Sequence, residues 1–506
     1  MRRTHLAVLV TLAGCGDAAN TTASASGTGT TSPVTTASPA TESTGAPAPT
    51  TSGESASDSD SDSASTGAPQ TDTGSGPLLD VGNNDPTEGA CQPGGDATLT
   101  GTVTAPNGLL PISGALVYLT HDQPTIPQLV YCSECVDLAC GTPYTFTGPD
   151  GSFSLAAPPG DWNVVVQKGQ FMRVSPLDLA AGDNPLPADV TRMPDHNDPP
   201  AGQFIPRIAL GLGDHDHLED ALAKLGLGDT ETKDFKQLLI QGSEQFDVWD
   251  NSPDRDFPGA MGSFSQLVSN YALLEKYHII FVPCTQQAGE YLDALDDPAV
   301  LNNIRTWVAN GGKWYVADWS SEAISEPFPQ YQTFWKRKDS TTVDQWKDQD
   351  TADLGRYDPL GTVLDPDLEA WLAALPPELK DINPENDPDL ESYPVIDDLP
   401  HVQTMYVYSG VREVHDVLVP DPMGGEVNVG HKVWIEGPGA ESWGVPPADS
   451  NWPLTLTGEY GCGRILFTAY HTVESGGYVG LSPQELILMY LILEIGVCQT
   501  AYEPPQ

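Results

Sequence analysis

Apolar and polar positions along this chain fall into two regimes. Between residues 203 and 500, short continuous apolar runs are separated by amphipathic stretches, the alternation expected of a parallel sheet with crossover helices. The clearest unit spans Lys276–Ser320. It opens on Lys276-Tyr-His-Ile-Ile-Phe-Val-Pro-Cys284 and closes on Gly311-Gly-Lys-Trp-Tyr-Val-Ala-Asp-Trp-Ser320, which predict strands buried on both faces. Between them Val300, Ile304, Trp307 and Val308 recur at helical spacing, and Asn310-Gly311-Gly312 supplies a left-handed stop. Strand, crossover helix and strand form a right-handed βαβ unit. Its ligand edge lies where the strands end, near Cys284 and Asp318–Ser320.

The same regime predicts a first strand at Pro206–Leu212. The loop Gly213-Asp-His-Asp-His-Leu-Glu-Asp220 then leads into a helix over Leu218–Leu225, with Asp214 or Asp216 as its N-cap. A strand at Gln245–Trp249 and a helix at Phe264–Glu275 follow. Residues 325–401 are rich in Pro and Asp, with one helical stretch at Leu368–Leu375, and read as an insertion beside the sheet. Strands return at Thr404–Tyr408, Lys432–Ile435 and within Pro453–His471, before a closing helix over Ser482–Val497.

Residues 89–195 follow the other regime. Thr98–Thr104 alternates with period two, Pro111–Leu119 carries the next strand, and Thr145–Leu155 is a hairpin around Gly148-Pro-Asp-Gly151. Pro158–Val166 adds turn and strand. The expected fold is multidomain: a small all-β sandwich followed by an α/β flavodoxin-like parallel-sheet domain, after a disordered tether. That tether is residues 16–88, made mostly of Ser, Thr, Ala, Gly and Pro with an acidic patch at Ser57–Ser63. A coil of this kind spans about 45–50 Å.

Composition narrows the partners. A formal net charge of −48 over 506 residues excludes a phosphate-tracking surface, so no nucleic acid is expected. Acidity of this degree is the signature of a solvated surface. Some carboxylates would suit Ca²⁺, but no stretch matches the EF-hand loop pattern, so no cofactor is expected. Met1-Arg2-Arg3 and the apolar His5–Ala13 form an export signal over residues 1–15. Its end, Leu12-Ala13-Gly14-Cys15, resembles a bacterial lipoprotein box, which implies cleavage before Cys15 and lipidation there. Gly16 follows in place of an inner-membrane retention Asp, so the expected site is the outer membrane or cell surface, held by the lipid anchor.

Cys91, Cys132, Cys135 and Cys140 have the count for a four-thiolate zinc site. In an exported chain disulfides take precedence, with Cys91 bonded to a member of the Pro124–Cys140 loop as the first pairing to test. Cys462 precedes the last strand and Cys498 follows the helix that returns antiparallel to it, so a Cys462–Cys498 bridge is expected. His215 and His217 beside Asp214 and Asp216 invite a metal reading. Two apart, the histidines diverge on a helix and share an ion only from a loop, so a capping loop is the plainer expectation.

Two resemblances follow from these residues. The order Gly101-Thr-Val103, Gly114-Ala-Leu-Val117, Asp150-Gly-Ser-Phe153 and Pro158-Pro-Gly-Asp-Trp162 resembles a carboxypeptidase-regulatory-like (transthyretin-like) domain, with the cysteine-bearing loop as an insertion. The resemblance implies a structural or adhesion module. The Ile279–Pro283 run, Trp307-Val-Ala-Asn-Gly-Gly-Lys-Trp-Tyr-Val316 and Gly461-Cys-Gly-Arg-Ile-Leu-Phe-Thr-Ala-Tyr-His471 resemble the class I glutamine amidotransferase-like fold, closest to its trehalose-utilisation-like branch. That family needs a cysteine on the turn after the Gly-Gly strand; here the turn reads Val316-Ala-Asp-Trp-Ser320. His471 is followed by Thr472 and Val473 and so lacks the family's His-x-Glu pair. The implied reading is a scaffold without its usual nucleophile.

The candidate residues at the edge are therefore Cys284, Asp318, Ser320 and His471. A Cys284–His471 pair meets the minimum for a thiol nucleophile, and Ser320, His471 and Asp214 would make a serine set, without the elbow motif that normally supports one. The first functional expectation is a non-catalytic surface or periplasmic lipoprotein that binds envelope glycan or protein. The alternative is a secreted hydrolase of carbohydrate or amide bonds using Cys284 or Ser320 with His471.

Overall fold

The computed structural model describes residues 79–81 and 94–505, apart from 134, 253–254, 286–293, 336–356, 381–395, 440–450, 474–478 and 499–500. The export signal, Cys15, Cys91 and nearly all of the tether lie outside the described residues. The described chain is a mixed α/β assembly of several sheets, with more strand than helix.

Two sheets make up the N-terminal part. One orders its five strands Tyr144–Phe146, Leu116–Thr120, Gly160–Lys168, Phe171–Leu179 and Gln203–Phe204. The other sets Ala97–Thr102 between Ser152–Ala157 and Gly182–Pro185. Strand alternation gives the larger sheet two apolar faces. Val117, Leu119, Val164 and Val166 join the main core, which they share with Leu99, Phe153 and Leu155 of the smaller sheet. Leu116, Tyr118, Val165, Met172 and Val174 point the other way, and Ile126, Tyr131, Val136 and Leu138 of the inserted loop cover them. The insertion is thus the lid of a second small core.

The C-terminal part is built on a nine-stranded sheet. Five strands run parallel in the order Asp247–Trp249, Ile208–Gly211, Ile279–Val282, Lys313–Ala317 and Gly463–Thr468. Asn451–Tyr460, Lys432–Pro438, Leu360–Val363 and His401–Gln403 continue it antiparallel. The expected buried runs are there: every residue of Ile208–Gly211, Ile279–Val282, Lys313–Ala317 and Gly463–Thr468 is buried. Pro298–Ala309 is the crossover helix, capped by the Asp297 side chain and burying Val300, Ile304, Trp307 and Val308.

Three expectations change. The helix expected over Phe264–Glu275 is two short ones, Phe264–Ser269 and Tyr271–Leu274, because Asn270 sits extended between them and caps the second. Thr404–Tyr408 is not a regular strand: Tyr406 takes a left-handed φ of 58°, leaving Val407 with only isolated bridges to Tyr357 and Tyr470. The Cys462–Cys498 bridge is replaced by Cys132–Cys462 and Cys135–Cys498. The inserted loop runs across the amino-terminal ends of the strands, where Val130 N–H donates to Glu275 O at 2.8 Å. Tyr131 O lies so close to Gly311 that a Cβ there would stand 1.9 Å away, and Gly311 also has a φ of 107°. The loop's cysteines meet Cys462 and Cys498 at this seam. Cys140 is disulfide-bonded as well.

The closing helix Pro483–Ile495 is buried along its whole length and starts at a capping box of Ser482 and Glu485. Two lysines reach it from elsewhere in the fold. Lys168 pairs with Glu494 at 2.8 Å and Lys224 with Glu485 at 2.7 Å, all four side chains at most 2% exposed. An ion pair sealed this way is costly to split, because the surviving charge keeps its desolvation penalty. Lys168→Met is expected to lower the unfolding free energy by about 3–5 kcal/mol. Lys168→Met/Glu494→Leu should recover part of that loss in the same urea titration; a double variant as unstable as the single one would contradict this account.

Candidate functional site

The carboxyl ends of the parallel strands bring the candidate residues together. Cys284 follows Ile279–Val282, Asp318 follows Lys313–Ala317, His471 follows Gly463–Thr468, and the Gly213–His217 loop follows Ile208–Gly211. A ligating atom from each of Cys284, Asp318 and His471 lies within 4.8 Å of the others, and all three residues are buried. Cys284 keeps its thiol while the cysteines of the seam are oxidised.

His471 is held on several sides. Its Nε2 stands 3.1 Å from Asp318 Oδ2, near enough for charge stabilisation. Its backbone N–H donates to Tyr406 O at 3.2 Å, and its carbonyl accepts from Gln484 Nε2 at 2.9 Å. The imidazole is nearly parallel to Tyr406 on one contact and to His215 on another, with Tyr408 tilted against it. Burial pushes the Asp318 carboxyl up, and His471, Ser409 and the Tyr408 N–H, at 3.3 Å from Oδ1, pull it back.

Asp318 also has an unusual backbone. It is left-handed, with a φ of 46°, on the turn between its strand and the short helix Asp318–Ser320. A strained residue on a strand-to-helix turn is the geometry of a nucleophile elbow. The sequence showed that no cysteine stands on this turn; it did not show that Asp318 takes a left-handed backbone there. Four non-glycine residues have positive φ among those described. Asp234 and Phe235 form a tight hairpin turn, while Asp318 and Tyr406 both border His471, in keeping with strain gathering at functional sites.

The remaining candidates have other tasks. Ser320 Oγ donates to Pro283 O at 2.7 Å. Asp214 accepts from Ser252 and from Thr285 Oγ1, the latter at 2.9 Å. Neither Asp214 nor Asp216 caps the following helix: His217 is the N-cap residue, with no side-chain bond, and the helix is α over Leu218–Leu222 and π over Ala223–Leu227. Asp216 instead accepts from Thr472 N at 3.1 Å and Val473 N at 2.8 Å, tying the first loop to the turn after His471. His215 stacks on His471, and His217 turns to Glu219 and Asp220, so these four residues do not gather as one metal set. The spacing His217-x-Glu219-Asp220 was the signal for that second group.

No protein-family model matches the chain, and no curated protein sequence matches it. Among solved structures, a ThuA-like protein from Bacteroides uniformis aligns at 10% identity with a TM-score of 0.28, over 57% of this chain and 90% of its own. A cytoplasmic protein from Salmonella typhimurium aligns at 11% identity with a TM-score of 0.24, over 59% of this chain and 100% of its own. At such scores nothing of either protein is transferred to this one.

Asp216 gives the site a pH signature. Burial pushes its carboxyl up to about 7, against the pull of His471 and of the Val473 and Thr472 N–H groups. Its ordinary value is 3.8, so between these two values the folded chain holds a proton that the unfolded chain has lost. Its stabilising contribution is complete below the lower value and is lost as pH rises through the upper one. Unfolding free energies measured from pH 4 to pH 8 should fall less steeply for Asp216→Asn than for the parent. Parallel curves would rule this out.

Proposed function

We propose that this chain is an exported, surface-anchored hydrolase of amide or ester bonds, with a cysteine–histidine–aspartate centre at the sheet edge. The observation that carries the reading is the convergence of Cys284, His471 and Asp318 from three adjacent strand ends, with His471 Nε2 3.1 Å from Asp318 Oδ2. Burying a thiol, an imidazole and a carboxylate together costs several kcal/mol relative to apolar packing, which an inert core has no reason to retain. In this reading His471 takes the Cys284 proton and Asp318 stabilises the imidazolium. The thiolate attacks the carbonyl carbon, a C–S bond forms, and the C–N or C–O bond breaks as His471 returns the proton to the leaving group. Water, deprotonated by His471, then cleaves the thioester.

The two facing N-terminal sheets support a carboxypeptidase-regulatory-like sandwich, and the order of the five parallel strands supports a flavodoxin-like, amidotransferase-related domain. The disulfides fit an oxidising, extracytoplasmic environment. No described helix is long and apolar enough to cross a membrane. Anchoring through Cys15 rests on the lipoprotein box.

One observation favours a second reading. Cys284, Asp318 and His471 are at most 1% exposed, which suits a binding protein for envelope glycan or protein whose polar cluster does no chemistry. Hydrolysis of p-nitrophenyl acetate and alkylation of Cys284 by iodoacetamide, mapped by mass spectrometry, separate the two. The hydrolase reading expects modification at Cys284 and loss of hydrolysis in Cys284→Ala. It also expects a drop of about a hundredfold in His471→Ala. Folded protein that neither turns over the ester nor reacts at Cys284 would leave the binding reading.

A further inference from the structure

Beside the Cys284 cluster, the other side of the Gly213–Asp220 segment faces an open cleft of about 390 Å³. His217, Glu219 and Asp220 line it, with Arg255, Lys236 and Phe257 among the surrounding residues. None of the three belongs to the proposed catalytic set. We propose that His217, Glu219 and Asp220 bind a divalent transition-metal ion of the zinc class, through one imidazole nitrogen and one oxygen from each carboxylate.

The geometry is close to what such an ion needs. His217 Nδ1 lies 3.7 Å from Asp220 Oδ2 and 4.0 Å from Glu219 Oε1, and one donor atom from each residue falls within 4.8 Å of the others. Tetrahedral zinc, with bonds of about 2.0–2.1 Å, holds its donors about 3.3–3.4 Å apart, so the imidazole and the two carboxylates must draw together by roughly 0.3–0.7 Å or more to take the ion. Nitrogen with carboxylate oxygen is a donor combination that zinc accepts, leaving the fourth position for water or a ligand in the cleft.

The donors are also held in place from behind. His217 N–H donates to Val473 O at 2.9 Å, and Asp220 Oδ1 accepts from Leu239 N at 2.7 Å while Oδ2 faces the imidazole. Glu219 is 3% exposed. Arg255 donates to its Oε1, and its Oε2 is a buried oxygen with no hydrogen-bond partner. Arg255 and His217 both approach Oε1, which leaves Oε2 as the oxygen that an incoming ion would take, at less cost than leaving it unbonded. Arg255 supplies one positive charge to the pair of carboxylates and so competes with the ion. That gives the site a signature which a merely structural cluster lacks.

The test is calorimetric titration of the full chain, stripped with chelator, with Zn²⁺ alone, together with metal content after dialysis against a weak chelator. One zinc per chain is expected in the parent. His217→Ala and Glu219→Gln should each weaken binding by roughly tenfold or more, and Arg255→Gln should tighten it several-fold. Cys284→Ala should bind as the parent does, so this site stands or falls apart from the hydrolase reading. If His217→Ala does not fold, as read by circular dichroism, the isosteric Glu219→Gln decides. The proposal is overturned if the parent takes no zinc or if Glu219→Gln retains it at full affinity. It is equally overturned if Cys284→Ala is the variant that loses it, which would assign the ion to the other cluster.

Discussion

Two cysteines three residues apart in one loop are bonded to the two halves of the C-terminal sheet's support, and the whole arrangement hangs on that constraint. Cys132 reaches the turn before the Gly463–Thr468 strand, and Cys135 reaches the residue region that ends the buried helix. With a sequence separation of 330 residues, the first closure is worth on the order of 5 kcal/mol in chain-entropy terms, and the second, which closes a much shorter loop once the first exists, adds less. Asp80 adds to the same seam, accepting from Gly169 N at 2.7 Å and Cys498 N at 3.3 Å. The seam lies at the amino ends of the parallel strands. The opposite edge, where Cys284, Asp318 and His471 meet, is left to loops that covalent bonds do not pin.

Much of the sheet was legible because burial on both faces leaves a plain trace in sequence. Ile279–Val282 and Lys313–Ala317 read as strands without any partner being known, since each is an apolar run with a punctuating glycine or proline nearby. The edge was legible for the same reason: strand ends fix where Cys284 and Asp318 must emerge. What could not be read depended on another part of the chain. Cys462 and Cys498 do emerge at one end of the fold, but a loop more than three hundred residues upstream reaches both of them. Asp216 has the composition of a helix cap, yet two N–H groups from the turn after His471 take its carboxylate. Tyr406 interrupts an apolar run through a backbone angle that composition does not encode.

The polar edge shows how competing costs are balanced in a dry site. Desolvation raises the Asp318 and Asp216 carboxyls, while backbone N–H groups and the His471 imidazole oppose the rise in both. The same imidazole thus couples two acids on different loops, with His215 and Tyr406 flanking its ring. Strain at Asp318 and Tyr406 is tolerated because the surrounding packing fixes both backbones. The left-handed turn after Lys313–Ala317 carries a carboxylate, and the thiol of Cys284 stands at the end of the neighbouring strand.

The wholly buried helix Pro483–Ile495 also sets an order in time. During synthesis it emerges after every strand and loop it packs against, together with Glu494, the partner of Lys168, and Cys498, the partner of Cys135. Until it arrives, Lys168 lacks its Glu494 partner, and Trp371 and Trp434 lack the Tyr490 ring they rest on. Nearly all of the chain precedes it, so the surfaces that it covers stay without it until the end of synthesis. Apolar surface left uncovered in this way is where a nascent chain is open to aggregation before its packing is complete.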